Sequence, residues 1–487
     1  MKGLHQKFLS AYILRIKLEK NEIQEKEIKT DKNVSLFLKQ AFIALGPMLL
    51  TICSGMTVGY SAILLPQLQS LENSTLSIDR EEASWIASVA ALPMAVGSVF
   101  GGIFSAKLGR KMTHSISCLP TFLGWLTIFL ANKMYMIIIG RFITGFTTGM
   151  LATVTGVYIG ETSDPKYRGF LLGAISFCIA LGLFLAHLIG TFLSWQNTAL
   201  VCSLLPLLSQ ILMFFTPESP SWLAGRNKLE EAERVFYWCR GTTDETKKEL
   251  EVIVDRHAPA HKTQKFFNEV LKEFLLPEFL KPLGIITVYI IANQWVGINA
   301  ISFYSVNIMK DIVGGGINEY LATLIVDIMR LVMSTVACVL LRTVKRRPLA
   351  LISGIGTFTT LVALSLYTYF VRIYPQISSG YIPLLCLVLY IVFVTIGFVP
   401  LPWAMMAELY PLRHRSIGSG FSSFMAFLAF FSVVKSVPSM FEMYGSHGTF
   451  CIFSLVAFFG STFVYFYLPE TKGRPLHEIE DSFKNKK

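Results

Sequence analysis

Three short phrases occur twice in this chain, in the same order and about half a chain apart. A basic turn reads Leu108-Gly109-Arg110-Lys111 and again Val344-Lys345-Arg346-Arg347. A Glu precedes an Arg by seven residues at Glu161 and Arg168, and again at Glu408 and Arg415. Pro217-Glu218-Ser219 is matched by Pro469-Glu470-Thr471. Long apolar runs fill the intervals. A repeat of this length means two similar sets of elements, and two such sets in a bilayer imply a solute carrier rather than an anchored enzyme.

Of the 487 residues, 53% are hydrophobic and 15% charged, which places the chain among polytopic membrane proteins. Twelve apolar stretches are expected to cross the bilayer. The first six are roughly 42–64, 83–104, 114–131, 134–159, 170–190 and 198–216; the others are 283–305, 319–341, 349–370, 381–404, 417–437 and 448–468. With both termini in the cytosol, the outer loops hold just Arg80, Lys133, Lys310 and Arg372, the asymmetry that orients such chains. The net charge of +11 then reads as topology and contact with anionic lipid, and no nucleic-acid module is present. The eight Cys form no disulfide framework, since all but Cys239 fall inside the expected spans. Asn73-Ser74-Thr75 is a glycosylation sequon in the first outer loop, whereas Asn33-Val34-Ser35 falls on the cytosolic side. No cleavable signal peptide is expected, because Arg15, Lys17 and Lys20 interrupt the apolar N-terminal stretch.

The expected organisation is a cytosolic tail (1–41), a six-helix half (42–216), a cytosolic helical segment (217–282), a second half (283–468) and a C-terminal tail (469–487). The N-terminal tail reads as disordered, or as a surface helix along Phe8, Leu9, Tyr12, Ile13 and Ile16. In the central segment Thr242 and Glu245 have capping-box spacing, with Leu250, Ile253 and Val254 following at helical intervals. The sequence carries no phosphate loop, metal cluster or nucleophile constellation, so neither enzymatic chemistry, a cofactor nor a metal is expected.

Further phrases carry a family resemblance. They are Gly140-Arg141, Tyr158-Ile159-Gly160-Glu161 with Arg168-Gly169, and Pro217-Glu218-Ser219-Pro220-Ser221-Trp222-Leu223 in the first half. The second half adds Gln294, Gly297-Ile298-Asn299, Pro400-Leu401-Pro402-Trp403 with Glu408, and Pro469-Glu470-Thr471-Lys472-Gly473. Together they resemble the sugar porter family of the major facilitator superfamily over about 42–480. The wording around Arg330 to Leu349 and Leu409 to Gly420 is most similar to insect facilitated trehalose transporters. The resemblance implies an all-α membrane fold of twelve helices in two pseudo-symmetric halves, the architecture the superfamily is known for.

Arg110, Glu161 and Arg168 end spans on the cytosolic side, and Arg346, Glu408 and Arg415 do so in the second half. These charges serve as topology markers, or they pair across the seam between halves when the inner mouth shuts; the repeated Glu favours the second reading. By resemblance, Glu218 and Glu470 join this cytosolic gate. Ala106 stands where relatives carry an acid or Asn, and Arg342-Thr343-Val344-Lys345 lacks the usual acid and Gly.

A sugar site needs amides, hydroxyls and an aromatic plane at mid-membrane. Asn293, Gln294 and Asn299 supply amides on span 7, Gly297 lets that helix deform, and Trp403 on span 10 supplies the plane. Interhelical hydrogen bonding is the alternative use of the same amides. By resemblance, Ser176, Thr395 and Arg330 also stand at substrate-contact positions, and Ala426-Phe427 replaces an Asn-Trp pair. Arg330 reads either as the partner of Asp327 or as a substrate contact. Arg141 lies toward the outer part of span 4, and Lys435 can snorkel at the outer end of span 11.

The expectation is passive uniport of a neutral sugar, hexose or trehalose-type, by a multi-pass plasma-membrane protein whose partners are a small-molecule sugar and membrane lipid, with no nucleic acid. Proton-coupled symport is the rival: related symporters carry an Asp after Gly-Tyr of span 1, whereas Gly59-Tyr60 is followed here by Ser61, leaving Asp327 as an alternative proton carrier. A non-transporting sugar sensor is the second rival.

Overall fold

The computed structural model describes residues 2–69, 79–257, 276–313, 317–410, 415–472 and 483, with side chains left out at 2–34, 80, 255–257, 407, 415 and 416. Asn73 lies outside the described residues. Among the described residues the regular structure is helical. Ten helices are long and apolar enough to cross a membrane. One of these, Ile417–Tyr467, holds two crossings separated at Gly445 (φ 67°), and the helix Arg110–Phe129 supplies the twelfth.

In the first half, span 1 is the membrane part of a helix running Lys2–Gln69. The tail read as disordered is therefore helical in its backbone. Span 2 is Arg80–Ser88 with Ala91–Leu108, span 3 Arg110–Phe129, span 4 Met134–Thr162, span 5 Pro165–Phe192 and span 6 Trp195–Phe215. Local chemistry sets these ends. Asp79 and Glu82 form a capping box at the start of span 2, and Asp164 caps span 5 ahead of Pro165. Small residues set the helix–helix distance. A Cβ on Gly55 would lie 2.2 Å from the Ile179 carbonyl, and one on Gly182 1.9 Å from that of Ile52, so spans 1 and 5 touch backbone to backbone.

In the second half, span 7 is broken into Pro277–Trp295, Ile298–Phe303 and Ser305–Val313. Span 8 is Glu319–Thr343, capped by Asn318, and span 9 is Arg346–Ile373. Span 10 runs Tyr381–Phe393, passes through a π-helical turn at Val394–Phe398, and ends as Pro400–Leu409. Spans 11 and 12 share the helix Arg415–Tyr467.

Between the halves, the segment expected on the cytosolic side forms short helices at Pro220–Gly225, Leu229–Arg240 and Asp244–His257. The third is capped one residue later than the sequence spacing suggests. Thr246 N–H donates to Thr243 Oγ1 at 3.2 Å and Thr243 N–H to Thr246 Oγ1 at 2.8 Å, so Thr243 and Thr246 form the reciprocal pair expected of Thr242 and Glu245. A hydroxyl at the third position serves as well as a carboxylate, which the charge pattern conceals. Arg240 is buried, pairs with Glu249 and donates to the Glu161 carbonyl at 3.2 Å. Gln40 donates to the Cys239 carbonyl and accepts from Asp164 N–H, both at 3.0 Å, so the cytosolic helices are fastened to the inner ends of spans 1, 4 and 5.

Candidate substrate site and gates

Span 7 breaks because Gly297 takes a left-handed backbone (φ 90°, ψ 5°), open to Gly without steric cost. A Cβ there would also meet the Phe453 ring at 2.5 Å. Around the break the three amides form a relay. Asn299 Nδ2 donates to Gln294 Oε1 at 2.5 Å, Gln294 Nε2 to Asn293 Oδ1 at 3.1 Å, and Asn293 Nδ2 to the Phe398 carbonyl at 2.8 Å. The relay thus ends on the π turn of span 10, where regular pairing lapses ahead of Pro400. Ser353 of span 9 ties that turn, donating to the Phe393 carbonyl at 2.5 Å and accepting from Phe398 N–H at 2.6 Å. Tyr390 fixes the other side by donating to the Val296 carbonyl at 2.9 Å. Two irregular helices therefore hold each other in register.

Trp403 lies two turns beyond Thr395 on span 10, half-exposed, with its ring 6.3 Å from that of Phe427. Thr395 is buried within the π turn, while Ser176 on span 5 is exposed. Arg330 is buried and donates through Nη1 to Ser302 Oγ at 2.5 Å, on the short helix after Gly297; its Nε has no hydrogen-bond partner. The expected local pair with Asp327 is not the bond that forms. Asp327 reaches the other half instead, with Oδ2 2.5 Å from His187 Nδ1 on span 5, and His187 Nε2 lies 3.0 Å from the Gly59 carbonyl of span 1. His187 was not a candidate from sequence. A lone His in an apolar run carries no signal when its partner is 140 residues away.

The cytosolic charges form two matching networks. Arg110 makes a two-pronged pair with Glu161 at 2.9 Å for each arm, and Ser219 Oγ also donates to Glu161. Glu218 accepts from the backbone N–H groups of Arg110, Lys111 and Ser219 at 2.8, 3.1 and 2.8 Å. In the second half, Arg346 Nη2 and Nε reach Glu408 at 2.7 and 3.3 Å, and Thr471 Oγ1 donates to it at 2.5 Å. Glu470 accepts from Arg346, Arg347 and Lys472 N–H at 3.0, 3.1 and 3.0 Å. Burial alone would raise the Glu470 carboxyl, but those three donors and the Arg346 charge carry it below its ordinary value. The turns differ where the sequence departs from the repeat. Gly109 has φ 105° and makes room for Glu218, whereas Lys345 is extended at φ −64°.

Among the described residues each network closes within its own half in this conformation. Glu161 meets Arg110, not Arg168; the Arg168 Nη2 donates to the Ser163 carbonyl at 3.2 Å. The Arg415 side chain lies outside the described residues. The halves touch near the inner ends of spans 5 and 8, where Cys338 Sγ donates to the Gly173 carbonyl at 3.3 Å, and again at the opposite end. Ser84 donates to the Lys435 carbonyl at 3.1 Å, Lys435 Nζ lies 4.0 Å from the Trp85 ring centroid, and Asn307 donates to Gln69 at 3.4 Å. Arg141 is fully buried, donates to the Thr57 carbonyl at 2.7 Å and to Ser61 Oγ, and packs on Phe303 of the other half at 5.8 Å. These contacts bring the halves together at the ends expected to face outside.

Two six-span halves and a broken helix carrying three linked amides define a membrane transporter. The chain belongs to the sugar transporter family: residues 1–483 match the family described as "Sugar (and other) transporter". It is similar to the facilitated trehalose transporter Tret1 of Bombyx mori, 32% identical over 87% of this chain and 84% of that one. The Tret1 of Apis mellifera ligustica is 31% identical over 94% of this chain and 91% of its own length. Among solved structures, the E. coli proton:xylose symporter bound to 6-bromo-6-deoxy-D-glucose overlays with a TM-score of 0.75 at 21% identity, covering 93% of this chain and all of that one. A partially occluded inward-open form of the E. coli xylose transporter gives 0.74 at 20% identity, covering 90% and 99%. The family is one of transporters, not enzymes.

Proposed function

We propose that this chain is a facilitative carrier for a neutral hexose or trehalose-type disaccharide, working by alternating access in the plasma membrane with both termini cytosolic. The relay at the break of span 7 carries the reading. Asn293, Gln294 and Asn299 satisfy one another in this conformation, and a sugar hydroxyl inserted between them replaces one amide bond with another at little desolvation cost. Trp403 offers its face to the apolar side of the ring, Ser176 and Thr395 offer hydroxyls, and Arg330 holds the short helix that carries Asn299. The relatives named as facilitated trehalose transporters support passive transport, as does Ser61 where an acid would stand in the symporters. The networks at Arg110, Glu161, Glu218 and at Arg346, Glu408, Glu470 keep each half rigid as it rocks, with Arg168 and Arg415 left at the inner mouth. Glycosylation at Asn73 belongs to the same reading.

Uptake of labelled glucose, trehalose and a polyol into proteoliposomes tests this. The expected result is saturable flux of at least one sugar down its gradient, without accumulation under an imposed pH gradient. Gln294→Ala and Trp403→Ala are expected to raise KM, by roughly two- to tenfold for one neutral hydrogen bond of about 0.5–1.5 kcal/mol. Accumulation driven by pH, or unchanged kinetics in both variants, overturns the coupling or the site respectively.

A further inference from the structure

The bond between His187 and Asp327 joins the two halves inside the membrane, and its geometry constrains the protons it holds. His187 Nδ1 faces a carboxylate oxygen at 2.5 Å and its Nε2 faces a backbone carbonyl at 3.0 Å. Both neighbours are acceptors. A neutral imidazole has one N–H, so an ionised Asp327 with a neutral His187 leaves one contact without a hydrogen. The arrangement is satisfied by an imidazolium beside an aspartate, or by a protonated Asp327 donating to Nδ1 while Nε2–H donates to Gly59. Both forms contain one proton more than a neutral His and an aspartate apart. Both side chains are buried, so neither leftover acceptor pair can turn to water.

Other charged or titratable groups near the pair are already engaged. On span 1 the Tyr60 hydroxyl donates to the Trp195 carbonyl at 2.8 Å, and Ser61 accepts from Arg141 of span 4. On span 8 Arg330 donates to Ser302 of span 7, with Tyr390 of span 10 close to its charge. Arg330 adds positive charge beside Asp327 without supplying a proton acceptor.

His187 and Gly59 belong to the first half and Asp327 to the second, so opening the outer passage separates the carboxylate from the imidazole. We propose that His187 and Asp327 form a proton-binding site shared between the halves, filled when the outer passage is closed and emptied back to the outside when it opens. One proton enters from external water on closure and returns to it on reopening; none crosses the membrane, and sugar flux stays passive. External pH then sets the balance of conformations. This inference rests on the alternating-access reading, since it needs an outward-open state.

The test uses the full chain in proteoliposomes with Cys451→Ser, spin-labelled at Leu193→Cys and Ile377→Cys, exposed positions at the outer ends of the two halves. Interspin distances are measured from pH 5.5 to 8.5. The short-distance population is expected to fall as pH rises, by about tenfold in the closed-to-open ratio for each unit of difference in proton affinity between the states. His187→Gln and Asp327→Asn are expected to abolish that dependence, and the exchange variant His187→Asp with Asp327→His to restore part of it. A pH-independent distribution in the parent, or a pH response in His187→Gln and Asp327→Asn as large as the parent's, overturns the proposal. Sugar uptake by the same vesicles reports on the carrier reading separately: its absence refutes that reading, whereas uptake without a pH-dependent distance change refutes the proton site alone.

Discussion

Gly297 shows how one residue fixes the site. Its left-handed backbone ends one helix and starts another, and the amides on either side then face each other instead of running along one stripe. Gly297→Ala adds strain of about 1–2 kcal/mol for the left-handed backbone and overpacking against Phe453 of about 1–3 kcal/mol. The expected outcome is a lower thermal midpoint with loss of sugar uptake, while Gly284→Ala, whose Cβ meets open space, leaves the midpoint unchanged or higher. Equal midpoints for the two variants would remove the break from the account. Glu470 makes a second residue-scale case. Its carboxyl sits below its ordinary value in the fold, so its contribution is present at neutral pH and is lost as pH falls through that depressed value. Glu470→Gln is therefore expected to lower stability near pH 7 and to flatten the loss below about pH 4.5, read by thermal unfolding across pH. The amides were legible in the sequence because Asn and Gln are costly in an apolar helix. His187 was not, because its meaning depends on Asp327 and Gly59, which other spans bring to it.

At the scale of elements, the repeat was legible as spacing, but the partner of each charge was not. Glu161 and Arg168 are close in sequence, yet the helix end at Ser163 and the restart at Pro165 turn them apart, and Arg110 on span 3 takes the carboxylate. The second half repeats this choice with Glu408 and Arg346. Each network joins the inner ends of spans 3, 4 and 6, or of 9, 10 and 12, so it braces one half. Removing the charge by Glu161→Gln or Glu408→Gln forfeits charge-assisted bonds of about 1.5–3 kcal/mol in the protected limit, and less here because both pairs are partly exposed. Since no bond among the described residues links the networks, the double variant is expected to equal the sum of the singles within about 0.5 kcal/mol. Thermal unfolding of the three variants decides it: marked non-additivity would mean that the charges couple across the seam after all.

For the whole molecule, the twelve apolar runs could be read from composition, because the bilayer permits few alternatives. Which conformation the halves adopt could not, since it depends on weak contacts between residues hundreds of positions apart. Trp85 and Lys435 are one such contact, with Ser84 and the Lys435 carbonyl beside it. They join the ends of spans 2 and 11 expected to face outside, where separation of the halves would break them. A partly exposed cation–π contact is worth about 0.5–1 kcal/mol. Trp85→Ala is therefore expected to move the equilibrium roughly two- to fivefold toward the outward-open state. An inhibitor that binds only from outside should bind that much more tightly, and one that binds only from inside correspondingly more weakly. Lys435→Met keeps the stem but removes the charge, so it should shift both affinities in the same directions, whereas a general loss of folding would weaken both ligands. If sided affinities stay at their parental values in both variants, this contact does not help close the passage, and the closure rests on Arg141, Phe303 and the His187–Asp327 bond.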